Sequence, residues 1–120
     1  MKVAKILLLS IAGSVSAVAD PQQEGERLFS LKVRQVLSSK CFACHGEEPK
    51  KIKGEVDLTT REGLLKGGES EEPGMVPGKP EVSSIVLAIE RKDEDFAMPP
   101  KENDKLTTWQ VYVIKRWVSL

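Results

Sequence analysis

Cys41-Phe42-Ala43-Cys44-His45 holds both cysteines and the only histidine of a 120-residue chain. Two thiols separated by two residues, with an imidazole directly after the second, form the spacing of a c-type haem attachment site. The order has a chemical reason. Each of two vinyl groups takes one thiol, so the thiols must lie a fixed short distance apart on one helical turn. The imidazole then lies under the porphyrin plane and reaches the iron as proximal ligand. Cys41 and Cys44 are therefore the expected covalent tethers of one haem c, and His45 its first axial ligand.

Three other chemistries use the same residue types. A structural zinc site takes four Cys or His ligands, and no second pair exists here. A thioredoxin-type redox pair expects a βαβ pattern around it, which the sequence lacks. A disulfide between Cys41 and Cys44 closes too small a loop to stabilise much.

Iron held by one histidine has a sixth position. Thioether sulfur is a soft, neutral ligand that favours reduced iron. Past the leader only Met75 and Met98 can supply it. Methionine is commonly core filler. Met98, however, lies off any helical stripe, in a stiff Met98-Pro99-Pro100 turn far from His45 in sequence. It is the favoured second axial ligand, with Met75 and an open or water-filled site as the alternatives.

These residues need helices to position them. From Glu24 to Lys40, Phe29, Val33, Val36 and Leu37 recur on one helical face, and that helix delivers the chain into Cys41. Residues 20–26 read as polar and frayed. Gly46, Pro49 and Gly54 mark 46–58 as a loop. Its Lys50, Lys51 and Lys53 form either a docking patch for an acidic redox partner or simply a solvated stretch. A short helix follows over 58–68, with Thr59 or Thr60 capping it and Gly67 stopping it.

Residues 67–80 read as a surface loop containing Met75. Pro80 then opens a helix striped by Val82, Ile85, Val86 and Ile89. The last helix starts near Thr108, behind a Thr107–Gln110 capping box. No strand-period run appears, so the fold class is all-α: about four short helices and long loops around one cofactor.

Residues 1–19 read as a secretory signal. Lys2 and Lys5 precede an apolar stretch from Ile6, and Ala17-Val18-Ala19 is a cleavage site. The competing reading is an uncleaved anchor. Residues 20–120 then form one monohaem domain, exported or periplasmic, with no later run apolar enough to span a bilayer. The 18 basic and 18 acidic side chains balance, which points away from nucleic acid as a partner.

The chain resembles the planctomycete-type cytochrome c domain. The matching residues are Phe29, Val33, Val36 and Leu37, then Cys41 to Gly46 and Asp57-Leu58. They continue through Thr60 to Gly68, Pro77-Gly78, Pro80, Met98-Pro99-Pro100, Leu106 and Arg116-Trp117. The likeness spans about residues 29–118. It departs at Gln35, where proline is common, at Lys79, and after Trp117, where the family continues into a turn. The stop at Leu120 leaves open a complete small cytochrome or a piece of a longer protein. The resemblance implies a class I-like cytochrome c fold, His45 and Met98 as axial ligands, and electron transfer.

The function expected is thus an exported carrier of single electrons, not an enzyme. Its rivals are a haem sensor or peroxidase-like protein with an open distal site, a thiol–disulfide oxidoreductase, and a pure interaction module.

Overall fold

Asp20 and Pro21 begin the folded part. The Asp20 carboxylate accepts the Gln22 N–H, and Pro21 sits at the first helical position. That position needs no amide and suits the fixed φ of proline. The computed structural model describes residues 3, 4, 7–14, 18 and 20–120. Helix α1 runs Pro21–Leu28, passes through one π-helical turn at Phe29–Val33, and continues as α2, Arg34–Lys40. The polar start expected to fray is therefore helical, because it carries its own cap.

Further along come α3, Arg61–Lys66; α4, Ser84–Glu90; and α5, Thr108–Ser119. Counting α1 to α2 as one rod, these make the all-α arrangement expected, and no strand occurs among the described residues. Of the leader, Lys2, Lys5, Ile6, Ala17 and Ala19 lie outside the described residues. Among the described residues, no helix is long and apolar enough to cross a membrane.

The helix ends follow from side chains. Thr60 accepts the Gly63 N–H, and Gly67 stops α3 at φ 76°, a backbone that only glycine adopts freely. Thr107 and Gln110 form the reciprocal capping box of α5. In α4 the expectation fails in part. Pro80 opens only a short 3-10 turn, Pro80–Val82, and the chain is extended at Ser83 before α4 begins. Val82 accordingly leaves the apolar stripe and is exposed.

Ser83 explains the interruption. Its side chain is fully buried. Its hydroxyl accepts the Val76 N–H at 2.9 Å and lies 2.8 Å from the Lys79 carbonyl as donor. An uninterrupted helix would carry that hydroxyl away from both partners.

One apolar core unites the elements. Val33 and Leu37 from the rod, Ile85, Val86 and Ile89 from α4, and Val113, Ile114 and Val118 from α5 are all buried. Helix α5 crosses the π-turn segment and rests on α1 and α4. There the Phe29 and Trp117 rings meet with centroids 5.3 Å apart. Leu37 and Ile114 have no exposed surface; truncating such a side chain to alanine costs about 2–5 kcal/mol. Met75, expected in a surface loop, is instead a core residue at 6% exposure. Its N–H donates to the Leu64 carbonyl at 2.8 Å, which draws this end of the loop onto α3.

Candidate functional site

Helix α2 ends at Lys40, and the chain tightens at once into turns. The Cys41 and Phe42 amides both donate to the Leu37 carbonyl, at 2.9 and 3.0 Å. The Cys44 and His45 amides both donate to the Cys41 carbonyl, at 3.2 and 3.0 Å. This places both sulfurs and the imidazole on one compact turn at the end of a packed helix. Both thiols are free; Cys41 is half-buried and Cys44 exposed. Burial first, and the neighbouring Cys44 second, push the Cys41 thiol up to about 11.

The loop that follows folds back over the turn. Its Lys53 N–H donates to the Cys44 carbonyl at 2.8 Å, and its Leu58 N–H to the His45 carbonyl at 2.8 Å. Between these, His45 Nδ1 lies 3.1 Å from the Val56 carbonyl oxygen. A carbonyl oxygen only accepts, so Nδ1 carries the proton and donates. The lone pair is then on Nε2, the nitrogen a metal can take, and the ring is fixed in orientation.

Gly46 is what lets the chain turn back. It has φ 139°, and a Cβ built there would lie 2.5 Å from Asp57 Oδ1 and 2.6 Å from Thr59 Cγ2. Asp57 is itself fixed in that crowd. It accepts the Thr59 hydroxyl at 2.6 Å and the Thr59 amide at 2.9 Å, and these bonds, the hydroxyl's first, hold its carboxyl below the ordinary value of 3.8.

Met98 belongs to a second arm. It is half-buried in the irregular segment after α4. Its N–H donates to the Ala88 carbonyl at 3.0 Å. The Pro99 carbonyl accepts from Arg91, whose guanidinium also reaches Glu102 Oε2 at 3.2 Å. Among the described residues no hydrogen bond joins this arm directly to the Cys41–His45 turn. The nearest link is Lys40 Nζ, one residue before Cys41, which donates to the Asp104 carbonyl at 3.2 Å.

Of the residues expected to act, the structure brings Cys41, Cys44 and His45 into one turn and sets Met98 on the other arm. The other candidate ligand, Met75, is buried in the core. Lys50, Lys51 and Lys53 are exposed on the loop that covers the turn, and Lys51 pairs with Glu48 at 3.3 Å. Sequence reasoning missed the Val56 carbonyl and the Arg91 guanidinium. The first is a backbone atom with no signal in residue type. The second stands in a run of six charged residues, Glu90 to Asp95, with no signal that sets it apart.

The donor set fits a covalently tethered haem: two free thiols on one turn, and an imidazole whose Nε2 lone pair is kept available by the Val56 carbonyl. Among the described residues no group of His, Cys, Asp and Glu forms a separate metal cluster. A family model described as planctomycete cytochrome C matches residues 41–102. The match begins at Cys41 and takes in the loop, α3, α4 and Met98. No curated protein and no solved structure matches the chain.

Proposed function

The chain belongs to the planctomycete cytochrome C family, whose model covers more than half of it, and we propose on that premise that it is an exported monohaem carrier of single electrons. The observation that carries the reading is the His45 ring, held by the Val56 carbonyl with Nε2 left as the donor, beside two free thiols on the same turn.

In this reading Cys41 and Cys44 would tether the haem, and His45 Nε2 and the Met98 thioether would hold its iron. The bound haem supplies a one-electron couple. The residues of the chain do the rest. The hydrogen bond from Nδ1 to the Val56 carbonyl keeps the ring from rotating and leaves Nε2 as the donor. The neutral sulfur of Met98 favours the reduced state and raises the potential. With His45 and Met98 both holding the iron, no open position would be left for a substrate, which suits a carrier and not an enzyme.

The exposed Lys50, Lys51 and Lys53 lie on the loop bonded to the Cys44 and His45 carbonyls, a place from which they can steer an acidic redox partner. Export follows from the leader and agrees with where c-type haem is attached. The thiol–disulfide rival fares worse. The thiolate is the reactive form, and Cys41, pushed up to about 11, is almost wholly thiol at neutral pH.

The test is the exported protein itself. Intact mass should show one haem added to the mature polypeptide, with both cysteines resistant to alkylation. The dithionite-reduced protein should give a low-spin c-type spectrum that carbon monoxide does not change. Alkylatable Cys41 and Cys44 would overturn the reading in favour of thiol chemistry. Ready carbon monoxide binding would overturn the closed sixth position in favour of a sensor or peroxidase-like site.

A further inference from the structure

The arm that carries Met98 contains an arginine in an unusual place. Arg91 ends α4 with φ 58° and ψ 30°, the left-handed backbone that this helix position ordinarily gives to glycine. Its side chain is nevertheless only 18% exposed. The guanidinium is a fork. Nη1 donates to the Pro99 carbonyl, one residue past Met98, and Nη2 donates to Glu102 Oε2 at 3.2 Å. Glu102 is braced in turn by Lys105 Nζ, 2.7 Å from Oε1. On the other side of Met98, its own N–H is taken by the Ala88 carbonyl of α4. The backbone is therefore fastened to the end of one helix at the Met98 amide and again at the Pro99 carbonyl.

We infer that Arg91 is the positioning residue for the Met98 thioether. It holds the Pro99 carbonyl so that the sulfur would stay where it can ligate the iron. The inference rests on the reading that Met98 is the second axial ligand. A purely solvated ion pair would leave the guanidinium exposed and would not engage a backbone carbonyl. A left-handed arginine costs free energy that glycine would not, and the two fork contacts offset that cost. Lysine cannot reproduce them, because a single ammonium lacks the planar fork that serves two acceptors at fixed angles.

Loosening the clamp shifts Met98 between bound and released positions. The released fraction sets how well an outside ligand competes for the iron. The test uses the haem-loaded protein, with covalent attachment checked by mass, and compares wild type with Arg91→Gly, Arg91→Lys, Glu102→Gln and Met98→Ala. Glycine relieves the left-handed backbone, so a role confined to ending α4 predicts unchanged or higher thermal stability and no spectral change.

The positioning role predicts otherwise. Arg91→Gly should keep its haem and helix content, weaken the sulfur–iron band at the red end of the ferric spectrum, and bind imidazole at least about tenfold tighter. Arg91→Lys should recover only part of the band, and Glu102→Gln should show a smaller shift in the same direction. A band and an imidazole affinity within about twofold of wild type in Arg91→Gly would overturn the inference. If Arg91→Gly proves too unstable to titrate, Glu102→Gln decides: wild-type affinity there overturns it as well. Met98→Ala separates the two readings. If it keeps the band, the ligand assignment falls; if it loses the band while Arg91→Gly does not, only the role of Arg91 falls.

Discussion

Around His45 the fastening is main chain to main chain, apart from the ring's own bond to the Val56 carbonyl, and it is local. Leu37, Cys41, Cys44 and His45 carbonyls take amides from residues at most 13 positions away in Leu58. Around Met98 the fastening is one main-chain bond to Ala88 and a guanidinium that bridges Pro99 and Glu102. A main-chain bond survives nearly any side-chain substitution. A side-chain clamp is lost with one. The difference teaches that the His45 turn is specified by backbone path, and the Met98 arm by a few exchangeable residues.

The sharpest way to break that contrast is to delete the two proposed ligands in turn. His45→Ala should abolish the normal low-spin holoprotein, whereas Met98→Ala should keep covalent haem and lose only the sulfur–iron band and the high potential. Equal damage from both, read by mass and visible spectrum, would mean the two arms are not independent. Next in size is Gly46→Ala. The new Cβ would press on Asp57 and Thr59 in a backbone that disfavours alanine, so stability should fall by about 1–3 kcal/mol in denaturant unfolding. An unchanged midpoint would show that the covering loop is free to move aside.

Away from both arms, Thr107→Ala removes the cap of α5 and should cost about 1 kcal/mol. That corresponds to roughly 4–8 °C in melting temperature for a domain of this size. Its spectrum should match wild type, because the cap touches neither arm. A spectral shift would mean that α5 relays to the iron.

The smallest effect concerns Glu90, at the end of α4. Lys115 Nζ lies 2.6 Å from its Oε1 and Lys92 Nζ 3.1 Å from its Oε2. The hydrogen bond from Lys115 first, then that from Lys92, holds the carboxyl below its ordinary value of 4.5. A carboxyl depressed in the folded state stabilises above its unfolded pKa, and that stability is lost as pH falls through the folded one. Glu90→Gln should therefore be less stable at neutral pH by about 0.5–1 kcal/mol. The gap should close as pH drops below the ordinary carboxylate range. A gap that persists in acid would assign the effect to packing.

The same contrast governs what could be read in advance. That Cys41, Cys44 and His45 share one turn was legible because they lie within five consecutive residues at fixed spacing. The α3 and α5 ends were legible because Thr60, Gly67, Thr107 and Gln110 act on neighbours within one turn. Asp20-Pro21 was an equally local signal that the polar composition of residues 20–26 obscured. The break at Ser83 and the burial of Met75 were not legible. Both depend on partners, the Val76 and Lys79 backbone and the Leu64 carbonyl, that only the assembled fold brings near. Arg91 was hidden for the same reason. Nothing in a run of charges says which one turns inward.

The tie between Met75 and Leu64, together with the buried Ser83 hydroxyl, seals the base of the glutamate-rich excursion at residues 69–72, whose side chains all face solvent. Extra residues spliced into that excursion would lengthen an already closed loop, and doubling a loop costs only about 0.6 kcal/mol. The molecule thus carries a graft point where a fluorophore, a surface anchor or a whole second module can be attached without tugging on α3 or α4.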